Sequence, residues 1–243
     1  MMLPREFFDI QVKFAQRASE LSGLTIQDSL FKYTFLYRNF FVPSKRFNKK
    51  DKIWMEFVQT LYNTADKNIT DVVYDYSAKR MKEKNMYDQS FYTGRSCFTY
   101  SIKGDSVYLH FNNLEGSEPG PLSNNRIKAR KMELVNIFKE IKSKHPEVHV
   151  ARGYSWLYNL QAYCRLFPSE YTTNRKVVKT DFRHMDIWGQ FLDSSYSLKT
   201  EFANNFIARI NKATDIKELK SIFDFYPIKV EAPISVFFEF YGI

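Results

Sequence analysis

The chain has few residues that could crosslink it and no long apolar run. Its 243 residues include only two cysteines, Cys97 and Cys164, which are too few for a disulfide framework and predict a reducing compartment. No apolar run reaches the roughly 20 residues that a membrane-spanning helix requires. Charged residues interrupt the opening MMLPREFFDIQVKF too early for a signal peptide. We therefore expect a cytoplasmic protein without a membrane span.

The usual metal and nucleophile motifs are also missing. The four histidines, His110, His145, His149 and His184, are scattered, and none pairs with cysteine or aspartate at a metal-binding spacing. No histidine adjoins either cysteine to activate its thiol. There is no G-x-S-x-G elbow, Walker loop or kinase signature. The sequence therefore predicts no metal site and argues against these classes of hydrolase and phosphotransferase.

Aromatic side chains and positive charge are abundant. The 23 Phe, 16 Tyr and 3 Trp can bury enough apolar surface to exclude a disordered chain. The 36 Lys+Arg exceed the 27 Asp+Glu, which gives a formal charge of +9. These cations either form a surface for nucleic acid, anionic lipid or a phosphorylated cofactor, or simply solubilise the chain. No zinc spacing or RGG tract indicates a specific nucleic-acid module.

Residues 1–90 carry helical periodicity. One apolar stripe begins at Phe7 and ends at Leu21, and Gly23 follows where a C-terminal cap belongs. The next run, LFKYTFLYRNFF over 30–41, predicts a helix that is aromatic almost all round. Such a helix is buried on more than one side or faces a partner, for example a second copy in a homodimer. Further helices are predicted after Asp51 and over Thr70–Lys84.

Residues 91–243 predict a mixed domain. Alternating runs on both sides of Gly104 indicate a β-hairpin. A long helix is predicted to begin after Ser123, its N-cap. A strand near 148–152 and a helix in SWLYNLQAYCRLFP are predicted to follow it. After these we expect a strand over 176–182, two or three helices, and a strand over 228–231. The expected fold class is α+β, or mixed α/β. We expect an α-helical N-terminal region packed on a mixed sheet with flanking helices.

Element order and short motifs carry a family resemblance. Over 109–182, the order of strand, long helix, strand, short helix and strand is similar to the second half of the GNAT-type acyltransferase fold. The stretch resembles a little-characterised bacterial family in which a helical region precedes a GNAT-like domain. The shared motifs are Leu109-His110, Gly120-Pro121-Leu122-Ser123, Pro146-Glu147, Ser155-Trp156-Leu157, Leu166-Phe167-Pro168 and Thr173-Asn174.

The resemblance implies an acyl-CoA-dependent N-acyltransferase with a small-molecule or peptide amine as acceptor. In such folds the pyrophosphate of CoA lies at the N-terminus of the long helix, where backbone N–H groups and the helix dipole favour an anion. A further cation on the helix would bind the adenosine 3′-phosphate. The residues at the corresponding positions are Ser123, Asn124, Asn125, Arg126 and Arg130.

The chemistry of acyl transfer suggests three catalytic candidates. The acceptor amine must lose a proton and the leaving thiolate must gain one. His110, at the end of a predicted strand, would be the base, and Tyr158 or Tyr163 would be the acid. Each also has a structural interpretation, because Tyr163 shares an apolar stripe with Trp156 and a single strand histidine is often solvated.

The loop before the long helix supports an alternative. It lacks the family's Gln/Arg-x-x-Gly-x-Gly/Ala signature, and Pro119 and Pro121 remove two N–H donors. Glu115 and Glu118 would repel a pyrophosphate. The alternative is a non-catalytic binding protein that keeps a GNAT-like fold and has lost the cofactor loop.

Overall fold

A computed structural model of the chain describes residues 2–42, 46–64, 68–84, 96–113, 119–179 and 182–243. The helices are α1 Arg5–Ser22, α2 Ile26–Tyr33, α3 Leu36–Asn39, α4 Lys52–Asn63, α5 Ile69–Glu83, α6 Ile127–Lys144, α7 Gln161–Cys164, α8 Ser169–Thr173, α9 Met185–Trp188, α10 Thr200–Lys212, α11 Ile216–Leu219 and α12 Ile234–Tyr241. The strands are β1 Phe98–Lys103, β2 Ser106–Phe111, β3 Val150–Ser155, β4 Arg175–Val177 and β5 Ile228–Pro233. The predicted α+β class is confirmed.

The chain divides into two units, and the second half of the sequence contributes to both. A helical unit consists of Met1–Phe91 and Thr180–Asp224, and a sheet unit consists of Tyr92–Lys179 and Phe225–Ile243. The predicted domain 91–243 takes no account of the side chains of Phe182, Trp188, Phe206 and Phe223, which pack with Phe14 of α1.

The helical unit is built around α1, as the apolar stripe predicts. Phe14 is fully buried, and its ring centroid lies 5.3 to 6.4 Å from five others, those of Tyr33, Phe182, Trp188, Phe206 and Phe223. Gly23 ends the helix in the left-handed conformation, with φ 70, and its N–H donates to the Ser19 carbonyl. Aromatic contacts between distant segments therefore hold this unit together.

The predicted helix over 30–41 is wrong in one respect, because it is two helices. Thr34 is extended between α2 and α3, and its hydroxyl donates to the Leu30 carbonyl at 2.5 Å. The buried Gln11 Oε1 accepts the N–H of Phe35 at 2.9 Å. These polar side chains satisfy the backbone at the break.

The aromatic residues of this segment are buried by their own unit. Phe31 is 7% exposed, Tyr33 2%, and Leu36, Tyr37 and Phe40 0%. These side chains pack within the helical unit, which is the first of the two alternatives, a segment buried on more than one side. The homodimer stays a prediction.

The sheet unit has the strand order β1-β2-β3-β5-β4. The parallel strands β2 and β3 are connected by α6, and the other pairs are antiparallel. One face packs its alternate residues against side chains of α6, α8 and α12. The other face carries polar residues, and most of them are exposed. Such a sheet, covered on one side, needs an apolar side chain only at every second position.

Two further predictions in this unit are corrected. The segment over 155–168 is not one helix, because Leu160, at φ −98 and ψ 123, separates a 3₁₀ turn over Trp156–Asn159 from α7. The strand predicted over 176–182 is limited to β4, Arg175–Val177, where it pairs with β5. The last strand and the terminal helix after Pro233 are confirmed.

Candidate functional site

The ladder between the parallel strands β2 and β3 stops before either strand reaches its carboxyl end. Their parallel pairing ends at Leu109 and Gly153. Both strands continue for two more residues, 110–111 paired with β1 and 154–155 paired with β5. The backbone edges of these residues therefore face each other without a shared ladder. We call this opening the wedge, and it lies where parallel sheets commonly bind ligands.

A cluster of tyrosines packs against the core face of the sheet at the base of the wedge. The hydroxyls of Tyr158 and Tyr171 lie 2.9 Å apart and are buried. A Cβ atom at Gly153 would lie 2.0 Å from the first hydroxyl and 2.3 Å from the second. This position therefore requires glycine, because the tyrosines approach its backbone too closely for any side chain.

The two predicted acids belong to that cluster. Tyr158 is 1% exposed and Tyr163 2%, and the ring centroids are 5.0 Å apart. Burial raises the pKa of both phenols well above the ordinary value. The structure thus gives both side chains a place in the core, which agrees with the structural interpretation of Tyr163 and extends it to Tyr158.

His110 lies on the opposite face of the sheet. Its neighbour in β2, Leu109, belongs to the buried core, so alternation directs the imidazole to the polar side. His110 is exposed, and its Nε2 atom lies 2.8 Å from the Ser101 hydroxyl. Partial desolvation lowers the pKa of His110. The structure does not bring together the predicted base and acids, because the sheet separates them.

The polar face beside the wedge contains residues that the sequence analysis did not select. Arg152 NH1 donates to the Tyr108 hydroxyl at 3.3 Å, and its Nε lies 3.3 Å from a Glu231 carboxylate oxygen. Tyr154, the next polar-face residue of β3, occupies the position that would oppose His110 if the β2–β3 pairing continued. Arg152 and Tyr154 alternate with Gly153 and Ser155 in the sequence RGYS, so a search for strand periodicity could have placed both on one face of the sheet.

The start of α6 differs from the prediction. Ser123 makes no capping hydrogen bond with its side chain, and Asn124–Arg126 form a 3₁₀ turn before the helix begins at Ile127. The Arg126 N–H, which the Ser123 hydroxyl would have bound, already donates to the Ser123 carbonyl at 3.0 Å. The predicted cap is therefore wrong, because the tighter turn uses this donor.

Arg165 fixes the turn before α6. Its NH1 atom donates to Asn124 Oδ1 at 2.5 Å, and its NH2 atom donates to the Leu122 carbonyl at 2.7 Å. Asn124 and Asn125 are exposed, and Arg126 is half-buried. A second arginine that the sequence analysis did not select thus contacts Asn124, one of the predicted anion-binding residues.

Arg130 has a structural role. Its side chain is 4% exposed, and one of its nitrogens lies 3.0 Å from the Glu133 carboxylate. The same carboxylate accepts the N–H of Phe98, at the start of β1, at 3.2 Å. The prediction that Arg130 binds a surface phosphate is corrected, because its charge is buried against Glu133.

A groove of about 630 Å³ adjoins Arg165 within the sheet unit. Arg165 and Lys131 supply positive charge to it, Glu170 and Glu239 supply negative charge, and Phe240 gives it an apolar wall. The Lys131 Nζ lies 5.6 Å from the Phe240 ring centroid. The groove therefore combines cations with an aromatic surface next to the start of α6.

Three searches give negative results. Comparisons with protein-family models, curated proteins and solved structures find no match to this chain. Among the described residues, no three or more His, Cys, Asp and Glu side chains form a group that could hold a metal ion. In the same part of the chain, every helix is too short or too polar to span a bilayer.

Proposed function

We propose that the protein transfers an acyl group from an acyl-CoA to an amine, with the thioester bound in the wedge. The observation that carries this proposal is the end of the β2–β3 ladder at Leu109 and Gly153, two residues before either strand ends. Backbone N–H and C=O groups along the two open edges can hydrogen-bond an extended acyl-pantetheine arm, as a strand would. The strand order and the α6 connection support the resemblance to the GNAT-type fold.

The phosphates of the donor would bind beside the start of α6. The backbone N–H groups of Asn124 and Asn125 have no hydrogen-bond partner among the residues that the structure describes. A helix start with such donors favours an anion. Arg126 and Arg165 add positive charge there, and the groove lined by Lys131 has room for the adenosine end.

His110 and Tyr154 are the catalytic candidates that the polar face supports. The attacking amine forms a C–N bond to the acyl carbon, the C–S bond breaks, and the amine's proton passes to His110. Desolvation lowers the pKa of His110 and so favours the neutral imidazole, which is the form that can accept that proton. Tyr154 carries a phenol on the same face and replaces Tyr158 and Tyr163 as the donor to the leaving thiolate.

The second candidate is a non-catalytic binding protein. Two observations favour it: the burial of Arg130 against Glu133, which removes one predicted phosphate contact, and the burial of both predicted acids. In this alternative the wedge and the groove bind a ligand without turnover.

Calorimetric titration with acetyl-CoA tests whether the protein binds the proposed acyl donor. We expect binding by the wild-type protein, and Arg165→Gln should weaken it about tenfold, as loss of one charge-assisted phosphate contact does. Arg209→Gln, which alters a half-buried arginine of the helical unit that pairs with Asp224, is the control and should bind like the wild type. Absence of heat and of a thermal shift with acetyl-CoA would refute the proposal. Binding without release of free CoA thiol in the presence of amines would support the non-catalytic alternative.

A further inference from the structure

The polar face of the sheet carries more positive than negative side chains. The register places four cationic side chains on it, Lys103, Arg152, Lys176 and Lys229, and one carboxylate, Glu231. Glu231 is paired with Arg152 across β3 and β5. Within the strands, this face therefore keeps an excess of three positive charges.

Two of these cations lie directly opposite each other. Lys176 of β4 pairs in register with Lys229 of β5, and both side chains are exposed. Like charges at opposite positions of adjacent strands destabilise a sheet. Both side chains point away from the core, so burial of apolar surface does not account for this pair of lysines. An anion placed between the two ammonium groups would offset their repulsion.

The lysine pair is aligned with the wedge. Tyr154 of β3 pairs with Lys229, and the Lys229 Nζ lies 6.0 Å from the Tyr154 ring centroid. These residues form one row across the polar face. The row runs from His110 of β2 across the wedge to Tyr154 of β3, then to Lys229 of β5 and Lys176 of β4. Because neighbouring strands are about 4.8 Å apart, the two lysines lie about 5 and about 10 Å from Tyr154 across the sheet.

We propose that Lys176 and Lys229 bind the anionic group of the acceptor, so that the acceptor is a small amine with a phosphate or carboxylate a few bonds from its nitrogen. This inference rests on the proposed function, since it assigns the substrate class of the same site. The anion would lie on the lysine pair, the carbon chain would cross the Tyr154 ring, and the amine would reach the wedge beside His110. An uncharged amine would lack the first contact.

Binding of two matched amines tests the assignment. O-phosphoethanolamine and ethanolamine share the same amine and differ in the phosphate, and each is titrated by calorimetry at low ionic strength with and without acetyl-CoA. We expect the wild-type protein to bind O-phosphoethanolamine at least tenfold more tightly than ethanolamine. The double variant Lys176→Gln/Lys229→Gln should lose that preference and keep its affinity for acetyl-CoA. Lys212→Gln/Lys217→Gln, which removes two exposed lysines from the helical unit, should behave like the wild type.

The outcomes separate the two proposals. The anion site would be overturned if the wild type bound the two amines equally, or if the lysine variant and its control lost the preference for O-phosphoethanolamine to the same extent. Neither result would contradict binding of acyl-CoA. Binding of O-phosphoethanolamine to the lysine pair without any binding of acetyl-CoA would support the anion site and overturn the proposed transfer reaction. Glycine can be titrated in the same way. Binding of glycine, without binding of ethanolamine or O-phosphoethanolamine, would support an anion site whose recognised group is a carboxylate. A single-stranded oligonucleotide that binds more tightly than O-phosphoethanolamine, and depends on the same lysines, would overturn the assignment of a small acceptor.

Discussion

The two faces of the sheet use similar residue types for different purposes. On the core face, Tyr158 and Tyr171 bury their hydroxyls against Gly153 and bond to each other. On the polar face, Tyr154 lies between the wedge and Lys229. A buried phenol with a raised pKa stabilises the fold, whereas a phenol at a ligand site must be accessible. The side of the strand, and not the residue type, therefore decides which tyrosines can act in chemistry.

The largest expected effect is on the core face, with Gly153→Ala. The new Cβ would lie 2.0 and 2.3 Å from two buried hydroxyls, so the free energy of unfolding should fall by about 3 kcal/mol or more. Urea denaturation measures it. Adding Tyr158→Phe and Tyr171→Phe removes both hydroxyls and should recover part of the loss. A change of less than about 1 kcal/mol would show that the tyrosines are not held against the strand.

A smaller effect is expected for the pair of hydroxyls itself. Tyr171→Phe removes one partner of a buried 2.9 Å hydrogen bond and should cost about 1 to 2 kcal/mol. The double variant with Tyr158→Phe should cost less than the sum of the two single variants, since neither hydroxyl is then left alone. Strict additivity in this double-mutant cycle would contradict the coupling between them.

On the polar face we expect a weak contribution to stability. Arg152 and Glu231 are 41% and 58% exposed, so Glu231→Gln should change the free energy of unfolding by less than about 1 kcal/mol. The difference should shrink further at high salt because of screening. A loss as large as that of Gly153→Ala would mean that the polar face is part of the structural core.

The smallest effect on stability concerns His110. Its pKa is lowered in the folded state, so the unfolded chain binds more protons below the ordinary histidine pKa of about 6.5. Stability should therefore be fully present above that pH and decrease as the pH falls through it. NMR titration should give a pKa below about 6.5. His110→Gln should change stability at pH 8 by less than about 0.5 kcal/mol and flatten this pH dependence. A raised pKa would contradict its role as a neutral base.

Much of the fold could be predicted from local patterns. The stripe of α1 with Gly23 after it, the hairpin around Gly104 and the start of α4 at Asp51 follow from periodicity and capping. The break at Thr34 could not be predicted, because it depends on Gln11 from another helix. The return of 182–223 to the helical unit likewise depends on contacts with Phe14 that are distant in sequence.

The candidate site was predicted less well than the fold. His110 was selected and lies beside the wedge, whereas Tyr158, Tyr163 and Arg130 were selected for their chemistry and are buried. Tyr154 and Arg165 were not selected. Their importance comes from cross-strand register and from a contact with Asn124 that joins segments 41 residues apart.

By itself, the sequence determined the residue inventory, the mixed class of fold and the elements whose periodicity is local. Few cysteines and many aromatic residues already required a core held by packing. Only the tertiary structure decided where the β2–β3 ladder ends and which lysines lie opposite each other. The physical reason is that helices and turns satisfy hydrogen bonds between near neighbours, whereas strand pairing and aromatic packing join residues that the sequence keeps far apart.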